Sequence, residues 1–195
     1  MSDLLRILCA FSFFAGSCAA PAAPVACDGQ QAATAAAANV TARDMLQKVV
    51  SLMDAGDSIA IDRLSLWLGV VNSEQQQAVK DRLNKAWAFL GGTSFLCDTA
   101  DPDYAWVYKS QPFTVRLGSA FFSAGTTGYS SQGGTLVHET THFMISGASA
   151  DPPEQALYGT KAALERAKSS PVEAQQNAEN LEYFVEATFF GMDPP

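Results

Sequence analysis

The sequence has few basic residues and only two histidines. Its 195 residues include 12 Lys and Arg against 20 Asp and Glu, so the formal net charge is −8. Nucleic acids and anionic membranes both attract basic surfaces, and this charge therefore argues against either as a partner. With two histidines, any site built on imidazole groups must form where those two residues lie. A hydrophobic fraction of 48% supplies enough apolar material for a folded core and argues against a disordered chain.

Long apolar runs are also missing. The apolar run at residues 7–16 is too short to span a bilayer, and a stretch of small residues follows it. This order is typical of a secretory signal peptide, which predicts that residues 1–22 are removed by a cut among their final alanines. We therefore expect a secreted or periplasmic protein whose mature chain has no transmembrane anchor. Attachment of lipid at Cys18 is the minor alternative.

Cysteine is scarce, and two of the four cysteines fall in the predicted signal peptide. The remaining pair is Cys27 and Cys97. We predict a disulfide between them, because an even pair of cysteines in an exported protein is normally joined. The bond would tie the N-terminal tail to the core of the protein.

Residues 41–195 are predicted to fold as one α+β domain. Residues 23–40 are rich in alanine and contain proline and glycine, which indicates a linker or a loosely docked arm. Apolar periodicity and capping residues then predict helices, and short β-type runs between turn residues predict a small sheet. The expected helices are 41–56, 58–68, 73–90, 134–145, 154–167 and 170–190, and the expected strands are 95–97, 104–108 and 114–117.

Both histidines belong to the motif His138-Glu139-Thr140-Thr141-His142. Residues four apart share one face of a helix, so the two imidazoles can reach one metal ion. Glu139 projects beside them and can accept a proton from a water molecule. The pattern His-Glu-x-x-His is the signature of zinc metalloproteases, in which zinc makes that water more acidic. The alternative is a buried helix with two structural histidines.

A catalytic zinc ion needs a third protein ligand and leaves one position open. Since no third histidine exists, that ligand must be a carboxylate or a cysteine. A tight turn after the motif would deliver Asp151, whereas a ligand on a later helix would come from the 179–186 segment. The residue types and spacing leave the choice open among Asp151, Glu154, Glu179, Glu182 and Glu186. Cys97 is a less favoured candidate, because it is predicted to form the disulfide.

Three stretches of the chain resemble one known family. Residues 126–143, which contain the motif, are similar to the core of the aspzincin metallopeptidases, a group that includes the peptidyl-Lys metalloendopeptidases and deuterolysin. Residues 98–108 and 177–186 resemble flanking segments of that family, in the same order. The resemblance covers most of residues 60–190. It implies a zincin-like α+β fold with N-terminal helices, a small mainly antiparallel sheet, and an active-site helix followed by C-terminal helices.

The resemblance also implies a ligand set. The family's third ligand is an aspartate nine residues after the second histidine, and that residue is Asp151 here. One Zn²⁺ per chain would then be bound by His138, His142 and Asp151. The family also has a Tyr-Gly pair shortly afterwards, which matches Tyr158-Gly159 and implies that this phenol stabilises the oxyanion. The segment between Asp151 and Tyr158 is longer than in the family and contains two consecutive prolines.

Two acidic residues of the last predicted helix, Glu179 and Glu182, match those with which the family selects lysine on the carboxyl side of the cut bond. They lie three residues apart, so one helical face can present both to a lysine ammonium group. An ordinary solvated acidic face would have the same spacing. The lysine preference therefore depends on the resemblance.

We therefore expect a secreted, monomeric zinc metalloendopeptidase that cuts Xaa-Lys bonds in a protein or peptide substrate. One alternative keeps the enzyme and changes the substrate to cell-wall peptide. The other is a secreted, zinc-stabilised binding module without catalysis. The intact Glu139 argues against that module, because metal binding alone does not require a base.

Overall fold

The computed structural model describes residues 25–143, 146–151 and 158–195. The predicted signal peptide, residues 1–22, and the candidate ligand Glu154 lie outside these ranges. Within them the elements are β1 (Val25–Ala26), α1 (Gly29–Asp54), α2 (Ser58–Leu68), α3 (Ser73–Leu90), β2 (Ser94–Cys97), β3 (Ala105–Trp106), β4 (Thr114–Leu117), α4 (Ser119–Ser123), α5 (Gln132–Thr141), α6 (Thr160–Ser169), α7 (Pro171–Gln176) and α8 (Ala178–Phe190). The fold class is α+β, as predicted.

Helix α1 begins twelve residues before the predicted start at Thr41. Asp28 caps it, accepting a hydrogen bond from the Gln31 backbone N–H, while the Gln31 side chain accepts one from the Asp28 backbone N–H. The prediction that residues 23–40 form a linker or a loosely docked arm is wrong for residues 29–40. Alanine is the best helix former, and alanines of this segment are buried against the core. The predicted disulfide between Cys27 and Cys97 is present and ties the start of the helix to the sheet.

The helices α2 and α3 have the predicted bounds. Asp57 and Asn72 cap their N-termini, each accepting a hydrogen bond from the backbone N–H of the third residue of its helix. Gly69 ends α2 in the left-handed conformation, with a φ of 60°. Capping residues at both ends explain why these bounds could be predicted closely. None of the described helices combines the length and apolar character needed to cross a membrane.

The sheet has four short strands in the order β1-β2-β4-β3. Two pairs are antiparallel, and the pair of β2 with β4 is parallel, so the sheet is mixed with a majority of antiparallel pairs. β4 lies between β2 and β3, which occupy both of its edges. β4 therefore has no free edge that could pair with an extended substrate. The two edge strands are β1 and β3.

Helix α5 is packed between α1 and α8, and two glycines make this possible. A Cβ atom at Gly133 would lie 3.1 Å from Met45 Sδ on α1, whereas one at Gly134 would overlap the carboxylate of Glu186 on α8. The helix spans residues 132–141, shorter than the predicted 134–145 at its C-terminal end, so His142 forms its C-cap. The histidine motif therefore lies at the end of a buried helix.

The C-terminal part contains three helices where two were predicted. Asn177 separates α7 from α8 and caps α8, accepting a hydrogen bond from the Asn180 backbone N–H. Residues 178–188 of α8 are all buried, and they include the carboxylates Glu179, Glu182 and Glu186. Spacings of three and four residues place these carboxylates on one face. This face lies against α5 and the histidine motif.

Candidate active site

The two histidines converge on one carboxylate. Asp151 Oδ1 lies 3.0 Å from His138 Nε2 and 3.1 Å from His142 Nε2. The imidazole ring centres are 4.9 Å apart, as the four-residue spacing on α5 predicts. Burial of Asp151 opposes its ionisation, but the hydrogen bonds with both imidazoles lower the pKa of this carboxyl well below its usual value. Asp151 therefore contributes a carboxylate to the cluster.

These three residues fit a zinc site. A tetrahedral zinc ion with bonds of 2.0–2.2 Å holds its ligand atoms roughly 3.3 Å from one another. The distances from Asp151 Oδ1 are close to that value, and the ligand atoms of His138, His142 and Asp151 all lie within 4.8 Å of one another. Two imidazole nitrogens and one carboxylate oxygen also suit zinc chemically. A metal ion can therefore be bound here with little rearrangement.

The other ring nitrogens are held by hydrogen bonds that leave both Nε2 atoms available. His138 Nδ1 lies 3.0 Å from Glu182 Oε2, and His142 Nδ1 lies 2.9 Å from the carbonyl oxygen of Ser149. An imidazole that donates from Nδ1 presents a lone pair at Nε2, which is the form that binds metal. Such outer contacts fix the tautomer and the orientation of each ring. No sequence pattern predicted this contact of Ser149.

A short segment after α5 brings Asp151 to the histidines. Gly147 has a φ of 112° and turns the chain sharply. Ser146 donates its hydroxyl to the Thr140 carbonyl at 2.5 Å. The Ala150 N–H donates to the Gln176 carbonyl, and the Ala178 N–H donates to the Ala150 carbonyl. Both backbone polar groups of Ala150, the residue before Asp151, are therefore hydrogen-bonded, which holds the segment in place.

The other described candidates for the third ligand are engaged elsewhere. Glu186 accepts hydrogen bonds from the Ser130 and Ser131 backbone N–H groups and from the Ser131 hydroxyl, at 2.7–3.0 Å. Glu179 accepts one from the Gly159 N–H, and Cys97 is in the disulfide. The structure therefore places Asp151, rather than these groups, between the two Nε2 atoms.

Glu139 lies in the wall of the same cavity and is 6% exposed. Burial raises the pKa of its carboxyl, the charges of His138 and His142 oppose that rise, and the carboxylates of Asp151 and Glu182 add to it. A carboxylate with a raised pKa binds a proton more readily than an ordinary glutamate does. This property suits a residue that must accept a proton and then release it.

Tyr158 and Gly159 reach the site in spite of the long segment that precedes them. Tyr158 lines the cavity and is 38% exposed. Burial, with the charges of Asp151, Glu179 and Glu139, raises the pKa of its phenol to about 12. The phenol therefore retains its proton at neutral pH and remains a hydrogen-bond donor. The Gly159 N–H is fixed by its 2.8 Å hydrogen bond to Glu179 Oε1.

The two candidate lysine-binding carboxylates have different surroundings. Glu179 Oε1 accepts hydrogen bonds from the Gly159 N–H and the Tyr183 hydroxyl, at 2.8 and 3.0 Å. Its other oxygen, Oε2, is buried and has no hydrogen-bond partner among the described atoms. Burial raises the pKa of this carboxyl. Glu182, by contrast, uses Oε2 to contact His138.

These groups border one cavity of about 590 Å³. Its lining includes Glu139, Glu179 and Glu182 on helices α5 and α8, and residues 103–106, which include β3. The described lining contains five acidic residues and neither lysine nor arginine. An acidic cavity of this size can take a side chain that carries a positive charge.

Comparisons with known proteins find similarity to one family of metallopeptidases. The aspzincin family, described as lysine-specific metallo-endopeptidases, matches residues 55–186. Over 126 residues the chain is 38% identical to a peptidyl-Lys metalloendopeptidase of Armillaria mellea, covering 64% of this chain and 35% of that protein. Over 162 residues it is 33% identical to the peptidyl-Lys metalloendopeptidase of Grifola frondosa, covering 82% and 45%.

A solved structure supports the fold. The zinc peptidase from Grifola frondosa superposes with a TM-score of 0.72 and 32% identity, over 83% of this chain and 98% of that one. An extracellular protease of Aeromonas hydrophila is 31% identical over 128 residues, covering 65% of this chain and 36% of that protein. The chain therefore spans between a third and a half of the length of these curated relatives, and nearly all of the solved structure.

Proposed function

We propose that this chain, which belongs to the aspzincin family of lysine-specific metallo-endopeptidases, is a zinc-dependent endopeptidase that cuts on the amino side of lysine. The observation that carries the proposal is the convergence of His138 Nε2, His142 Nε2 and Asp151 Oδ1 within one acidic cavity. This arrangement combines a metal site and a place for a cationic side chain. The names of the relatives indicate the same reaction for those proteins.

We infer that one Zn²⁺ is held by His138, His142 and Asp151. When bound, zinc supplies a Lewis acid that polarises a carbonyl and lowers the pKa of water. The protein contributes the orientation of the ligands. The contacts of Glu182 and Ser149 with the two Nδ1 atoms keep both rings turned towards the site.

Glu139 is the proposed general base and acid. Its carboxylate accepts a proton from the attacking water and then delivers it to the nitrogen of the leaving amine. The raised pKa of Glu139 supports the second transfer, because a more basic carboxylate holds the proton until the amine needs it. Tyr158 is proposed to donate its phenolic hydrogen to the oxyanion of the tetrahedral intermediate. Its retained proton at neutral pH supports that role.

The substrate lysine is proposed to bind against Glu179 and Glu182. Glu179 Oε2 is a buried acceptor without a partner, and such a group is costly unless a ligand satisfies it. An ammonium group would supply both a donor and the opposite charge. Since Glu182 also contacts His138, we assign lysine selection mainly to Glu179 and a double role to Glu182.

The peptide backbone of the substrate is proposed to run along β3. This two-residue strand pairs with β4 on one side, and its residues line the cavity. A sheet edge can bind an extended peptide through main-chain hydrogen bonds. We also propose that residues 1–22 direct export of the protein; a relative described as an extracellular protease supports that location.

The proposal is tested with purified wild type and Glu139→Ala on a peptide that contains one lysine. Both proteins are first shown to hold equal zinc by elemental analysis. We expect wild type to cut before the lysine and the variant to be slower by at least about 100-fold, as for other general bases. Equal traces of cleavage by both, or none by either, would support the zinc-stabilised binding module instead. Equally fast cleavage by both would show that Glu139 is not the base.

A further inference from the structure

We propose that Lys109 is a positioning residue that holds the metal-binding segment, residues 146–151, through the carbonyl group of Ser149. Lys109 lies 40 residues before Ser149 and outside the histidine motif. The inference rests on the proposed function, because it assigns Lys109 a role in the geometry of the same zinc site. It concerns how that site is kept in place, and no chemical step passes through Lys109.

The central observation is one carbonyl oxygen with two donors. Lys109 Nζ donates to Ser149 O at 3.1 Å, and His142 Nδ1 lies 2.9 Å from the same oxygen. A carbonyl oxygen has two lone pairs, so it can accept both hydrogen bonds. The position of this oxygen determines where His142 can point its Nε2. Lys109 therefore contacts the group that orients a proposed metal ligand.

Ser149 is the point where several restraints on the segment meet. Its N–H donates to the Thr141 carbonyl at 3.0 Å, and its hydroxyl lies 2.6 Å from Thr141 Oγ1. Its hydroxyl also lies 3.2 Å from His142 Nδ1. These contacts tie Ser149 to the end of α5. The Lys109 contact ties it to a different element, the turn between β3 and β4.

That turn is itself well held. The Gln111 N–H donates to the Tyr108 carbonyl at 2.8 Å, and Arg116 donates to the Gln111 side chain at 3.0 Å. The Arg116 guanidinium also lies 4.5 Å from the centre of the Tyr108 ring. Lys109 thus extends from a fixed turn rather than from a loose one. An anchor of this kind can restrain the segment that it contacts.

The contact also links the segment that follows β3 to the segment that carries Asp151. Lys109 follows β3, the proposed edge for the substrate backbone, by three residues. Ser149 precedes Asp151, the proposed third ligand, by two. A hydrogen bond from Lys109 to Ser149 therefore fixes the distance between the peptide-binding edge and the zinc ligands. Correct placement of a scissile bond beside the metal depends on that distance.

The test compares Lys109→Met with Lys109→Arg and with Lys85→Met. Met keeps most of the aliphatic stem and removes the ammonium, and Arg keeps a cation that can donate to the carbonyl. Lys85 is an exposed lysine of α3 and serves as the matched control. The readout is the rate at which zinc passes from each loaded protein to a chromogenic chelator, with the unfolding midpoint measured in parallel.

We expect Lys109→Met to release zinc about 3- to 10-fold faster than wild type. This is less than the 10- to 100-fold loss typical of a direct partner of a ligand, because Lys109 acts through Ser149. Lys109→Arg should stay within about 2-fold and Lys85→Met should match wild type. Release of zinc from Lys109→Met at the wild-type rate would overturn the inference, even if its unfolding midpoint fell.

The same experiment separates this inference from the proposed function. If wild type holds zinc but cuts no lysine peptide, the proposed function fails, while faster release from Lys109→Met still supports the positioning role. If wild type cuts the peptide and Lys109→Met keeps wild-type zinc release, only the positioning role fails. A wild-type chain that retains no zinc overturns both.

Discussion

Adjacent glycines in α5 allow a matched test of how the site is built. Gly133→Ala and Gly134→Ala both replace a helical glycine by alanine. Where the new Cβ atom has room, this change stabilises a helix by about 0.5–1 kcal/mol. The new Cβ atoms meet different neighbours. At Gly133 it lies 3.1 Å from Met45 Sδ and from Thr41 Cγ2, and small movements of these side chains can accommodate it. We expect Gly133→Ala to stay within about 1 kcal/mol of wild type.

At Gly134 the new Cβ atom would overlap the carboxylate of Glu186 and lie 3.0 Å from Glu182 Oε1. Glu186 is fully buried and cannot move without weakening its hydrogen bonds with Ser130 and Ser131. Each buried bond that is lost costs about 1–3 kcal/mol. We therefore expect Gly134→Ala to lower the free energy of unfolding by about 2 kcal/mol or more.

The assay is urea unfolding of both variants with zinc bound, followed by circular dichroism. Gly134→Ala should also release zinc faster, because displacement of Glu182 removes the contact that orients His138. Gly133→Ala should not. Ordinary surface substitutions change the free energy of unfolding by up to about 0.5 kcal/mol. If the free energies of unfolding of the two variants differ by no more than that, the packing of α8 against α5 does not control the site.

Three further outcomes follow from individual residues. Glu179→Gln should lower kcat/KM for a lysine peptide by about 10- to 100-fold with zinc retained, because one charged hydrogen bond is lost. Glu182→Gln should also weaken zinc binding. Equal zinc loss in both variants would contradict the division of roles. Tyr158→Phe should reduce kcat by about 100- to 1,000-fold without changing the zinc content, and unaltered kcat would exclude the phenol as oxyanion donor. Burial and Glu182 raise the pKa of Glu186 to about 9 from a usual value of 4.5. This group's stabilising effect is therefore full below pH 4.5 and is lost as the pH rises towards 9, so Glu186→Gln should flatten the measured decline in stability over that range.

The motif helix and the bounds of α2 and α3 could be predicted because their signals are local. His138 and His142 are four residues apart, and capping residues mark the ends of the neighbouring helices. Asp151 came from family resemblance, since the residue types alone left several carboxylates open. The structure brings Asp151 to both imidazoles, which agrees with that resemblance.

Other features depend on contacts that no local pattern reveals. The alanines of residues 29–40 become helical because they pack on the core, whereas their composition resembles a linker. The four-residue run of β4 does not show which strands flank it, so its interior place could not be predicted. The contact of Lys109 with Ser149 spans 40 residues and joins two loops. The fold determines such long-range pairs, and sequence periodicity does not predict them.

Zinc-dependent cleavage before lysine can be tested by mapping the cleavage sites in one unfolded, reduced protein substrate while the zinc content of the enzyme is measured. We expect one zinc per chain and products whose new amino-terminal residues are lysines. Asp151→Ala should lose both the zinc and the cleavage. Products that begin mainly with other residues, or full activity from a chain that holds no zinc, would contradict the proposed function.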